Sequence, residues 1–146
     1  MGFDLNAKDR NLGPKGYFRA NVYQMILLRS AMVAAGVHEN LVYKKFVSND
    51  GFLVTCLQSE QIAEKLNAWL TRKNLTLDLL EQNESAKIGN RAYLEFFLQI
   101  GNREEKSMAR RFLRNKPLPL KLDSGSRKVI RDFAEFCKRS GGFRVD

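Results

Sequence analysis

The sequence predicts an α+β fold, a helix-rich single domain over residues 1–146 with a small sheet. Three observations point there. The length of 146 residues suits one domain. The composition, 44% hydrophobic and 28% charged, is that of an ordinary globular chain. Apolar residues recur mostly at helical spacing, while strand-like runs are short and fall at the start, the middle and the end.

In chain order, Phe3 and Leu5 alternate around Asp4 as an N-terminal strand would, and Gly13-Pro14-Lys15-Gly16 is a turn cluster. From about Ala20 to Ala35 the chain is almost continuously apolar, with Gly36 placed as the C-terminal cap, which predicts a central buried helix. Val42–Val47 and Phe52–Leu57 are rich in β-branched and aromatic residues and flank Ser48-Asn49-Asp50-Gly51, which predicts a central hairpin. Ser59 is placed to cap a helix carrying Ile62, Ala63, Leu66, Trp69 and Leu70, closed by Asn74. Leu75–Leu80 fits a short strand or a helical turn equally well.

Residues 85–100 and 104–114 read as helices separated near Gly101-Asn102, and Lys116-Pro117-Leu118-Pro119 as a stiff extended connector. Asp123-Ser124-Gly125-Ser126 starts a last helix with the stripe Val129, Ile130, Phe133, Phe136 and Cys137. Gly141-Gly142 ends it, and Phe143-Arg144-Val145 reads as a C-terminal strand that pairs with the N-terminal one.

The charge is uneven. The chain is +9 overall, yet residues 1–102 account for only +2 of it and the basic C-terminal third, residues 103–146, for +7. At about 100° per residue, Arg103, Lys106, Arg110 and Arg114 form a stripe roughly 80° wide, with Met108, Ala109, Phe112 and Leu113 opposite. Arg111, Lys116, Lys121, Arg127, Lys128 and Arg131 extend the excess, and Glu104 and Glu105 are the only acids between 103 and 122. Such a face neutralises phosphates and gains from counterion release. Aromatics do not interleave with it, which argues against a stacking platform for single strands.

Other chemistries find little support. His38 is the only histidine and reads as part of a helix-to-strand connection, and Cys56 and Cys137 sit in apolar contexts that suit buried free thiols. No CxxC, GxGxxG, GxxxxGK[ST], HExxH or GxSxG occurs, and Glu81, Glu84 and Glu95 form no recognisable set for a metal-dependent nuclease. Neither catalysis, a metal nor a cofactor is expected. No apolar run approaches the ~20 residues of a membrane span, so a cytoplasmic protein with no membrane partner is expected. A polar pocket would form from Arg19, Asn21, Asn49 and Asp50 if the hairpin tip folded back on the first helix; Asn21 fits equally as that helix's cap.

Met1-Gly2-x-Asp4, Tyr17-Phe18-Arg19-x-Asn21-Val22, Asn49-Asp50-Gly51 and Phe136-Cys137-x-x-x-Gly141-Gly142-Phe143 together resemble a family of small uncharacterised proteins of bacteriophages and bacterial mobile elements. In that family tryptophans follow the Asn-Val pair, where this chain has Tyr23-Gln24-Met25. The resemblance implies no catalytic residues. It implies the setting of an accessory protein that modulates host nucleic-acid or defence machinery. The expected function is therefore non-enzymatic binding of nucleic acid or another polyanion through the basic helical face. The alternatives are an interaction inhibitor of a host defence complex, docking on an acidic host protein, and a binder of a small phosphorylated ligand.

Overall fold

Alternation in the first residues sets the sheet. Phe3 and Leu5 are buried while Asp4 and Asn6 turn outward, giving β1 (Gly2–Ala7) an inner and an outer face. A computed structural model of the chain describes residues 2–78, 94–113 and 119–146. β1 pairs antiparallel with β2 (Tyr17–Asn21), Phe3 opposite Ala20 and Asp4 opposite Arg19. Its other side pairs with β6 (Phe143–Val145), Leu5 opposite Val145. β3 (Phe52–Val54) pairs with β6 in turn, so the order is β2-β1-β6-β3. The expected pairing of the first and last strands is thus present. Close approach at the turn into β6 demands a residue without a side chain: a Cβ on Gly142 would lie 2.8 Å from the Val54 carbonyl oxygen.

The helices cover the inner face. α1 (Val22–Ala34) opens on a capping box in which the Asn21 side chain accepts from the Gln24 amide and the Gln24 side chain accepts from the Asn21 amide. Met25, Ile26, Leu28, Ala31 and Met32 are fully buried along it. α3 (Cys56–Leu70) and α6 (Ser124–Arg139) pack on one another and on α1, burying Ile62, Leu66, Ile130 and Cys137. Phe18, Phe46, Phe133, Phe136 and Phe143 form an aromatic cluster beneath the sheet, with ring centroids from 5.2 Å (Phe136 and Phe143) to 6.5 Å (Phe133 and Phe143) apart. Residues 94–100 are helical (α4), and α5 (Arg103–Leu113) follows. β4 (Thr76–Asp78) pairs with β5 (Pro119–Lys121), which resolves the Leu75–Leu80 ambiguity in favour of a strand as far as residue 78.

Several expectations are corrected. Residues 42–47 are not a hairpin arm: Glu39–Lys45 is a helix (α2), and β3 finds its partner in β6. Capping wins over β propensity here. His38 is the N-cap, its Nδ1 accepting from the Asn40 amide at 3.2 Å; Glu39 stands in the first turn and Lys44 and Lys45 in the last, each complementing the helix dipole. Val42 and Phe46, four apart, then fall on one buried side. His38 accordingly begins a helix rather than leading into a strand.

Ser59 does not cap α3. Thr55 does, in a capping box with Gln58, and Ser59 is buried one turn in, donating to the Cys56 carbonyl at 2.9 Å. The earlier start brings Cys56 into the first turn, where it is exposed, so of the two cysteines only Cys137 is buried. The helix also stops before Asn74, at Leu70, with Thr71 as its cap. The expected helix over 85–93 and the connector through residue 118 lie outside the described residues.

Arg29 was not anticipated. It stands in the mostly apolar α1 with none of its surface exposed, and its Nη1 donates to the Phe46 carbonyl at 2.6 Å, satisfying the C-terminal end of α2.

Candidate functional site

The basic stripe is built on α5. Asn102 precedes the helix and accepts the Glu105 amide at 2.9 Å, which fixes its start. Ala109 is buried while Arg103 and Arg110 are exposed, as the amphipathic pattern requires, and Lys106 between them is half-buried. The side chain of Arg111, and Arg114 and Lys116 entirely, lie outside the described residues. On α6, Arg127 donates to the Leu70 carbonyl at 3.3 Å and Lys128 pairs with Asp132 at 2.6 Å, so both are already engaged; Arg131 is exposed. Among the described residues, Arg103, Lys106, Arg110 and Arg131 make no ion pair.

Among the described residues, the two basic helices do not merge into one face. A cleft of about 570 Å³ opens between the first turns of α1, α5 and α6, with Glu104, Glu105 and Asp123 in its lining. Val129 and Gly125 line it from α6, each about 160° around that helix from Arg127. Glu104 and Glu105 likewise bracket the side of α5 opposite the stripe. Among the described residues, the α5 row and Arg127 and Arg131 of α6 therefore fall on helix sides turned from the acid-lined cleft, as two outer flanks. A linear charge count cannot separate those flanks.

The cleft's own groups are electrostatically defined. Tyr23 donates its hydroxyl to the Glu105 carbonyl at 2.7 Å, and burial, with Glu105 beside it, pushes its pKa up to about 12. Asp123 accepts from the Ser126 amide at 2.7 Å, which holds its carboxyl below the usual range.

The four residues of the expected polar pocket are not brought together. Arg19 lies on the edge strand β2, its Nε 3.8 Å from an Asp4 carboxylate oxygen. Asn21 caps α1. Asn49 and Asp50 precede β3 at the opposite edge, with β1 and β6 in between.

What does assemble is the outer face of the sheet. Tyr17 donates its hydroxyl to Asp4, Asn6 donates to Asp146 at 3.2 Å, and the Arg144 Nε donates to Asp146 at 2.7 Å. Acting as donor to Asp4 raises the Tyr17 pKa. The Arg144 guanidinium lies across Gly51, whose φ of +82° and missing side chain leave room for it. The separated pieces quoted above, from Gly2 and Asp4 through Tyr17 and Arg19 to Gly51 and Gly142, thus meet on one sheet. Sequence reading missed Asn6, Arg144 and Asp146. Period-two alternation was the available signal, since it puts Asn6 beside Asp4 on the outer face.

Among the described residues no three of His, Cys, Asp and Glu stand close enough to hold a metal ion, and no helix is long and apolar enough to cross a membrane. Compared with protein-family models, with curated proteins and with solved structures, the chain matches none, and any functional reading rests on this geometry and on the sequence.

Proposed function

We propose that this is a non-enzymatic accessory protein that binds nucleic acid, or another polyanion, through the basic flank of α5. The observation that carries the reading is the row Arg103, Lys106 and Arg110: three cations one turn apart, without ion pairs among the described residues, on a helix whose other side is buried at Ala109. Phosphates are the natural counter-charge for such a row, because each contact releases condensed counterions. Contacts of this kind position a nucleic acid without reading its sequence, so little sequence preference is expected. The cytoplasmic setting and the modulation of host nucleic-acid or defence machinery draw on the resemblance to mobile-element proteins and belong to the same proposal. A small phosphorylated ligand held by Arg19, Asn21, Asn49 and Asp50 is not carried forward, because strand order sets those residues on opposite edges.

The test is fluorescence anisotropy with labelled duplex DNA, single-stranded DNA and RNA across a salt series. Three phosphate contacts on a duplex predict a slope of log K against log salt of about −2.7. Arg103→Glu with Arg110→Glu, both at exposed positions, should abolish binding and leave the thermal melt in place. No binding at low salt, or binding indifferent to the double reversal, overturns the proposal. A stoichiometric complex with an acidic host protein is then the reading to pursue.

A further inference from the structure

The cleft between α1, α5 and α6 has a use that the basic flank does not share. Its 570 Å³ lies within the roughly 300–1,000 Å³ typical of small-molecule sites. Leu27, Val129 and the ring of Tyr23 supply an apolar floor. The ring is held in place, packed on Phe97 at a centroid distance of 4.6 Å, with its hydroxyl committed to the Glu105 carbonyl.

Among the described residues, the acidic and basic groups in the lining are Glu104, Glu105 and Asp123, all carboxylic. Among the described residues none of the three makes an ion pair, in a chain with 25 Lys and Arg against 16 Asp and Glu. Three helices start here, and bare helix starts would draw an anion. These starts are not bare. Asn21, Asn102 and Asp123 accept first-turn amides at 2.8, 2.9 and 2.7 Å, and the carboxylates oppose what remains of the dipoles. The cleft therefore presents negative charge and acceptor oxygens over an apolar floor.

We propose that this cleft binds an organic cation with an apolar body, an alkyl or aryl group bearing an amidinium, guanidinium or ammonium head. The body covers Leu27, Val129 and Tyr23, and the head sits at the rim among the carboxylates, where its hydrogen bonds are charge-assisted. The site is independent of the α5 stripe, which lies on the other side of that helix.

The probe is benzamidinium, followed by the methyl NMR signals of Leu27 and Val129, with benzoate and benzyl alcohol as analogues of opposite and of no charge. Benzamidinium should shift both methyls saturably, and the two analogues should not at equal concentration. Glu104→Gln, Glu105→Gln and Asp123→Asn together remove the charge while keeping shape, and Asn preserves the α6 cap. This triple variant should bind benzamidinium about tenfold or more weakly. Glu104→Gln alone, at an exposed position, should weaken it in the same direction should the triple variant fold poorly. Unmoved methyls, equal shifts by benzoate or benzyl alcohol, or undiminished binding by the charge-free variants each overturn the proposal.

Discussion

The Cys56 thiol stands in the first turn of α3 with its Sγ 3.5 Å from a Glu60 carboxylate oxygen. The hydrogen bond to that carboxylate, followed by its charge, raises the thiol pKa; Lys8 acts weakly the other way. The thiolate is the reactive form, so the pH at which Cys56 becomes reactive lies above that of an ordinary thiol. Glu60→Ala removes both acceptor and charge. The rate of iodoacetamide labelling plotted against pH should then shift to lower pH, with more thiolate at neutrality. Cys137 stays out of this titration, because burial raises its pKa far more and denies access to reagent. Arg29 is the other residue whose surroundings decide its behaviour. Arg29→Ala would open a cavity and leave the Phe46 carbonyl without its described partner. A loss of about 3 kcal/mol in a urea titration is expected. Periodicity could not foresee its burial: in a helix apolar on nearly every side, no solvent face exists to claim a charged residue.

At the scale of elements, capping chemistry was more informative than residue propensity. α6 was legible because Asp123 caps it and its apolar stripe is unbroken, and α1 because Gly36 stops it. α2 and the start of α3 were misread where β-branched and aromatic side chains, which favour strands only when a strand partner exists, were weighed above caps. Thr55-x-x-Gln58 is a capping box written in the sequence, and Ser59, four residues on, was the decoy. Thr55→Ala should therefore destabilise the protein by about 1 kcal/mol in chemical denaturation. The sheet was half legible. Alternation marked β1 and β6, but that β3 pairs with β6 and not with its sequence neighbour depends on the whole chain closing.

At the scale of the molecule, the quantity of charge and the spacing of the α5 row were legible, but not how the folded helices share that charge. Residues 103–146 hold most of the excess, yet among the described residues the α5 row and Arg127 and Arg131 of α6 face away from a cleft lined by three acids. That division depends on the angle at which two helices meet, which no linear count contains. The row Arg103, Lys106 and Arg110 was readable because its spacing is internal to one helix. The polar pocket did not, because it needed two distant segments to meet and they lie at opposite edges of the sheet.

The strand order has a consequence in time as well as in space. The two inner strands, β1 and β6, come from opposite ends of the described chain, and the hydrogen-bonded pair Asn6 and Asp146 is 140 positions apart. As the polypeptide is made, β1 and β2 can pair at once, but the second edge of β1 stays open and β3 has no partner until β6 emerges. Contacts this distant along the chain slow folding, and open strand edges invite association with other chains meanwhile. Completion of the sheet thus waits on a clasp of three residues, and Phe143 joins the aromatic cluster only when β6 closes it.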